Sequence, residues 1–231
     1  MVSHQNVKKE VGEIFYVLQS KFSDIVDGKS AILEMKQKNM RNWRQMEWAG
    51  WYFEDVSRDE LINKIGGGQG PTYGKTKFDY MRDYVWDLKM HSIYDKNGDE
   101  KPWLILNDKE AIEKVITDKG GMGFIIPNAK MSFDKTGQFK EWHDMLKGGK
   151  SPYEVERVKR GASSRMRKTS FAIKSWITLF FDDFLQIEEG MNQGWVGSFQ
   201  KGMRNANGTP RREKVKINVD EVPEEHIILQ C

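Results

Sequence analysis

Phe78-Asp79-Tyr80-Met81-Arg82-Asp83-Tyr84-Val85-Trp86-Asp87-Leu88-Lys89-Met90-His91-Ser92 holds two aromatic-rich apolar runs on either side of Arg82-Asp83. That pattern predicts a tight β-hairpin turning near Asp83. A turn centred there sets Asp79 and Asp87 opposite each other. Directly opposed side chains have Cβ atoms roughly 4.5–5.5 Å apart, and like charges so placed are destabilising. Asp87 and Lys89 are two residues apart on one strand and share a face. Two carboxylates and an ammonium thus converge on one small volume. A divalent cation would make such paired carboxylates favourable and leave the lysine to act on a substrate oxygen. A surface hairpin with scattered charges is the bland alternative.

Asp79, followed after seven residues by Asp87-Leu88-Lys89, resembles the active-site signature of the PD-(D/E)XK nucleases, with Phe78 where that pattern often has proline. The resemblance implies a phosphodiesterase dependent on Mg²⁺, with Mn²⁺ as a substitute. Asp79 and Asp87 would be metal ligands and Lys89 would stand near the attacking water. It also implies a mixed α/β fold, a central mixed β-sheet flanked by helices, and is most like a type II restriction endonuclease acting on double-stranded DNA. Symmetric duplex cleavage needs two sites related by a two-fold axis, so a homodimer is expected. Many restriction enzymes with this pattern carry a glutamate on the first helix that reaches the metal. Glu54 is the first choice for that catalytic and metal-binding role and Glu47 the second; both fall on a helix expected over 42–55, whose inward stripe is Trp43, Met46, Gly50 and Phe53.

A second match to the pattern is Asp24 with Glu34 and Lys36. Residues 31–38 are rich in helix formers and Ser30 is a good N-cap, so a helix is preferred there. Gly74-Lys75-Thr76 looks like the end of a phosphate-binding loop, but Gln69 stands where its first glycine belongs and a strand follows, so that reading is rejected. Asp95, Asn97 and Asp99 imitate a calcium loop that lacks its glycine and closing glutamate.

Two basic segments follow. Residues 151–174 carry seven Lys or Arg against two Glu, and residues 201–216 carry six against one. Small residues beside forked donors suit close approach to DNA, which marks Arg160, Ser163, Ser164, Arg165, Arg167 and Lys168, and in the second segment Arg211 and Arg212. His91, two beyond Lys89, is expected to share its strand face and touch the DNA backbone or pack. His143 has no second His or Cys at ligand spacing and is read as structural or DNA-contacting.

The remaining elements are a helix over 5–20, a strand at Trp103 to Leu106, a helix from Lys109 to Thr117, a strand at Gly123 to Ile126, a helix over 138–146 and another opening at Pro152. Residues 172–187 read as the most apolar helix, and strands are expected at 214–219 and 226–229. The 231 residues fit one domain. Its expected parts are an N-terminal helical extension (1–40), a catalytic core (about 42–127) and a helical, basic, DNA-contacting part (about 138–231). Net charge is +3 and mean hydropathy −0.70, a polar and mildly basic balance. The single cysteine, Cys231, excludes an intrachain disulfide framework and fits a reducing cytoplasm. No signal peptide or membrane span is legible. The rival from another class is a non-catalytic DNA-binding protein with a structural acidic hairpin; a third reading is a repair or junction-resolving nuclease.

Overall fold

A computed structural model describes residues 3–150, 152–162, 165–205 and 207–231. The elements run α1 (His4–Lys21), β1 (Val26–Asp27), α2 (Gly28–Gln37), a 3-10 turn (Arg41–Arg44), α3 (Trp48–Ile65), β2 (Thr72–Tyr73), β3 (Thr76–Lys77), β4 (Tyr80–Met81), β5 (Val85–Leu88) and β6 (His91–Ser92). Then come β7 (Trp103–Asp108), α4 (Lys109–Lys119), β8 (Met122–Phe133), α5 (Gln138–Leu146), α6 (Pro152–Lys159), β9 (Lys168–Phe181), α7 (Leu185–Gln193), β10 (Val196–Phe199), β11 (Lys214–Asn218) and β12 (Ile227–Gln230). The fold is mixed α/β, a central mixed sheet flanked by helices, as the sequence led us to expect.

Its spine is β8 against β9, antiparallel over their length from Met122↔Phe181 to Phe133↔Lys168. β5 and then β6 add in parallel to the other edge of β8, β4 pairs antiparallel with β5, and β1 and β12 share the far edge of β9. A smaller antiparallel sheet orders β10, β11 and β7. The main sheet is buried on both faces, and strand alternation sorts its side chains between two cores. Trp86, Leu88, Ile125, Trp176 and Phe180 pack with α1, α2 and α3. Val85, Met122, Phe124, Ile177, Leu179 and Phe181 pack with α4, α7 and the small sheet.

That two-sided burial corrects one expectation. The helix read over 172–187 is the C-terminal half of β9, a turn and the start of α7. Ile173, Trp176, Ile177, Phe180 and Phe181 satisfy helical spacing only because nearly every position is apolar. A strand covered on both faces produces the same run, and the β-branched and aromatic content decides for the strand.

The helix expected over 42–55 also changes. Trp43 belongs to the 3-10 turn, the helix starts at Trp48, and it runs ten residues beyond 55. A Cβ added at Gly50 would meet nothing within 4 Å, so Gly50 makes no close approach to the sheet. α2 is present as expected, but Asp27 caps it, accepting from the Ser30 N–H at 2.9 Å. Among the described residues no helix is long and apolar enough to cross a membrane.

Candidate active site

The hairpin forms with the register read from sequence. Tyr80 pairs with Trp86 and Met81 with Val85, which centres the turn on Asp83 and sets Asp79 across from Asp87. Two devices hold it. Gln69 donates from its side-chain amide to the carbonyls of Phe78 (2.5 Å) and Asp79 (3.1 Å). Gly68 exchanges backbone hydrogen bonds with Met81, so the glycine-rich run lies along β4; at Gly67 (φ 78–84 across the Gly66-Gly67 pair) a Cβ would stand 2.7 Å from the Met81 carbonyl oxygen. On the other strand, Trp86 lies across Gly123 of β8, where a Cβ would come within 2.1 Å of its ring, and donates its indole N–H to Glu10 of α1 at 3.1 Å. Trp86 therefore anchors the strand that carries Asp87.

Four residues named from the sequence come together here. Lys89 Nζ lies 3.1 Å from Asp87 Oδ2 and 3.6 Å from Glu54 Oε1, the latter reaching in from α3. Asp79 accepts from the Leu88 N–H at 2.8 Å, and its carboxylate is close enough to Asp87 to raise it. Glu47 does not join them: it stands just before α3 and pairs with Lys168 at 2.5 Å. A fifth residue was missed. Asn107, near the end of β7, donates its amide N–H to Asp87 Oδ1 (3.0 Å) and Oδ2 (2.9 Å). No motif carried it; the only signal was a polar residue ending an apolar strand.

The electrostatics reflect three carboxylates sharing one ammonium. Burial pushes the wholly enclosed Asp87 carboxyl well above the carboxylate range; Lys89 opposes that and Asp79 adds to it. Burial likewise lifts Glu54 to about 7, against the pull of Lys89 and with the push of Asp79. For Lys89 burial works against the charged form, but Asp87, Glu54 and Asp79 outweigh it and hold the ammonium well above the ordinary lysine range. Lys89 is thus a fixed cation and hydrogen-bond donor, not a proton acceptor, in this arrangement.

The donor set suits a hard divalent cation in kind: carboxylate oxygens only, with more negative charge than Lys89 offsets. Burial first, and then the neighbouring carboxylates, raise Asp87 and Glu54, and a bound cation would oppose both effects. In this arrangement Lys89 and Asn107 take part of Asp87's acceptor capacity, and among the described residues no three His, Cys, Asp or Glu side chains are already grouped around one ligating point.

The second match to the pattern is dispersed. Asp24 is exposed, Glu34 is engaged by Lys38 and the Tyr52 hydroxyl (both 2.7 Å), and Lys36 lies over the Trp43 ring.

The DNA-contact candidates divide. His91 is buried, and both ring nitrogens are engaged, with Asn128 at 2.9 Å and the Lys101 carbonyl at 2.5 Å; it packs inside and cannot face a duplex. Arg167 is buried as well, 4.0 Å from Asp144, because the chain entering β9 passes beneath α5. Lys168 is held by Glu47, as above. Arg160 is exposed and 3.8 Å from Glu156, and Arg165 is exposed. Ser163 and Ser164 lie outside the described residues. Arg211 and Arg212 are exposed on the segment before β11. His143 is structural: it is fully buried against the Trp43 carbonyl at 3.0 Å, and burial lowers it to about 4.

Comparison with models of protein families, with curated proteins and with solved structures returned no match for this chain.

Proposed function

We propose that this chain is a Mg²⁺-dependent endonuclease that hydrolyses phosphodiester bonds in double-stranded DNA at a short specific sequence, acting as a homodimer in the manner of a type II restriction enzyme. The observation that carries the reading is the meeting of Asp79, Asp87 and Lys89 on one hairpin with Glu54 from a separate helix. Asp79 and Asp87, joined by Glu54, would hold the Mg²⁺, which when bound lowers the pKa of water and polarises a phosphoryl oxygen.

The chain's own groups do the rest. Lys89, kept as an ammonium by its carboxylates, donates to a non-bridging phosphate oxygen and offsets the charge that builds there in the transition state. Asn107 fixes the plane of the Asp87 carboxylate, and Gln69 with the Leu88 N–H fixes Asp79, so the two carboxylates keep one orientation. Trp86 supports this from beneath. Glu54, whose carboxyl burial raises to about 7, serves as a ligand in its ionised form.

Incubating the purified protein with phage DNA and Mg²⁺ tests the reading. Discrete bands, lost in excess EDTA and lost in Asp87→Ala, are expected. Intact DNA under these conditions with tight duplex binding would instead make this a non-catalytic DNA-binding protein.

A further inference from the structure

Asn107 and Asp108 are consecutive on β7, and strand alternation turns them to opposite sides. Asn107 reaches Asp87. Asp108 faces a cavity of about 1010 Å³ bounded by the β2–β3 turn, the first turns of α4 and residues 200, 205, 207 and 209–214. Asp108 ties that cavity together: it accepts from Thr76 Oγ1 at 2.5 Å and pairs with Arg212, which also donates to Thr76 at 3.3 Å. We infer that this groove takes the DNA flanking the scissile phosphate and reads its base edges, a deepening that rests on the nuclease reading above.

The lining chemistry selects that occupant. Six cations face four carboxylates in it. Asp108 is matched by Arg212 and Glu110 by Lys114, whereas among the described residues Lys75, Lys109, Arg211 and Lys214 have no carboxylate within 4.0 Å. A small-molecule pocket is lined mainly by apolar and aromatic groups, and here Tyr73, Ala111 and Pro210 are nearly all there is. The remaining lining is amide and hydroxyl: Gln200, Asn205, Asn207 and Thr209. Guanidinium forks match guanine edges and side-chain amides match adenine edges, while ammonium groups serve phosphates.

The reading loop is also set in advance. Asn205 donates its backbone N–H to the Thr209 carbonyl at 2.8 Å and its amide to Thr209 Oγ1 at 3.0 Å, and the Arg211 N–H reaches the Met203 carbonyl at 2.8 Å. A braced loop loses little freedom when it binds. Adjacent residues of β7 thus serve the two places from opposite faces of the strand, Asn107 on Asp87 and Asp108 in the groove.

The test is selection from short DNA duplexes with a randomised centre, in Ca²⁺ buffer, using the full chain, Arg211→Lys and Lys75→Ala, with salt titrations and a parallel duplex RNA. Arg211→Lys keeps the charge and loses the fork; it should hold affinity for random duplex within about twofold and lose preference at one base pair by roughly tenfold. Lys75→Ala should weaken binding to every sequence alike and reduce the salt slope by about one. Wild-type preference and slope in both variants would overturn the inference, as would equal binding of duplex RNA or no duplex binding at all. Cleavage separates the two readings. A cutting wild type, a dead Asp87→Ala and unaffected groove variants would remove the groove alone. Loss of base preference in Arg211→Lys without any cleavage by wild type would remove the nuclease and leave the groove.

Discussion

The side-chain amide of Asn107 donates to both carboxylate oxygens of Asp87, at 3.0 and 2.9 Å, across two sheets. Asn107→Ala should leave Asp87 in place but free to rotate, and slow cleavage by about 10–100-fold, the usual effect of removing a group that orients a ligand. Asn107→Asp should be worse, since it adds a carboxylate beside three others. Single-turnover rates on one duplex would check both; a wild-type rate in Asn107→Asp would show that the contact has no part in catalysis.

Asp87→Ala should abolish cleavage while duplex binding survives or tightens, because it removes a proposed metal ligand and eases repulsion toward phosphate. Lys89→Ala should keep divalent-ion binding by calorimetry and lose most of the rate. Glu34→Ala should cut normally, since Glu34 serves Lys38 and Tyr52 on another face. A dead Glu34→Ala beside an active Asp87→Ala would move the site to α2.

Glu54 gives a pH test with a definite sign. Its carboxyl is raised in the folded protein to about 7 from 4.5, so the fold favours the protonated form. Its contribution to stability is therefore fully present below about 4.5 and is lost as pH rises through about 7. Glu54→Gln mimics the protonated side chain. Its Tm should exceed that of the wild type well above pH 7 and match it below about 4.5, while cleavage is lost. Equal Tm values at every pH would mean that the carboxyl pays no burial penalty.

Gly123→Ala should destabilise by roughly 1–3 kcal/mol or more, the range for overpacking, because the new methyl meets the Trp86 ring. Cleavage should fall with it, since Trp86 carries the strand of Asp87. Urea denaturation would give the stability change.

Arg165→Ala and Arg167→Ala should part company. Arg167 is buried beside Asp144, so its loss should lower Tm with little change in DNA salt dependence. Arg165 is exposed, so its loss should lower Tm less than that of Arg167 and, where it meets phosphate, reduce the salt slope. Equal Tm values for the two variants would show that Arg167 is not structural.

By itself the sequence determined what one hairpin can determine. Strand alternation and a turn at Asp83 are local rules, so the opposition of Asp79 and Asp87 and the shared face of Asp87 and Lys89 were legible from residues 78–92 alone. Helix formers and a cap position likewise placed Glu34 on a helix, although the capping residue is Asp27. The sequence ranked Glu54 ahead of Glu47, but only the tertiary structure set Glu54 beside Lys89 and Glu47 on Lys168, because that depends on where α3 begins and how it crosses the hairpin. It alone brought Asn107 to Asp87, twenty residues away along the chain. It also withdrew His91 and Arg167 to the interior and made β9 a strand. Each of these depends on what packs against a residue from distant sequence, and neither periodicity nor residue type records the partner.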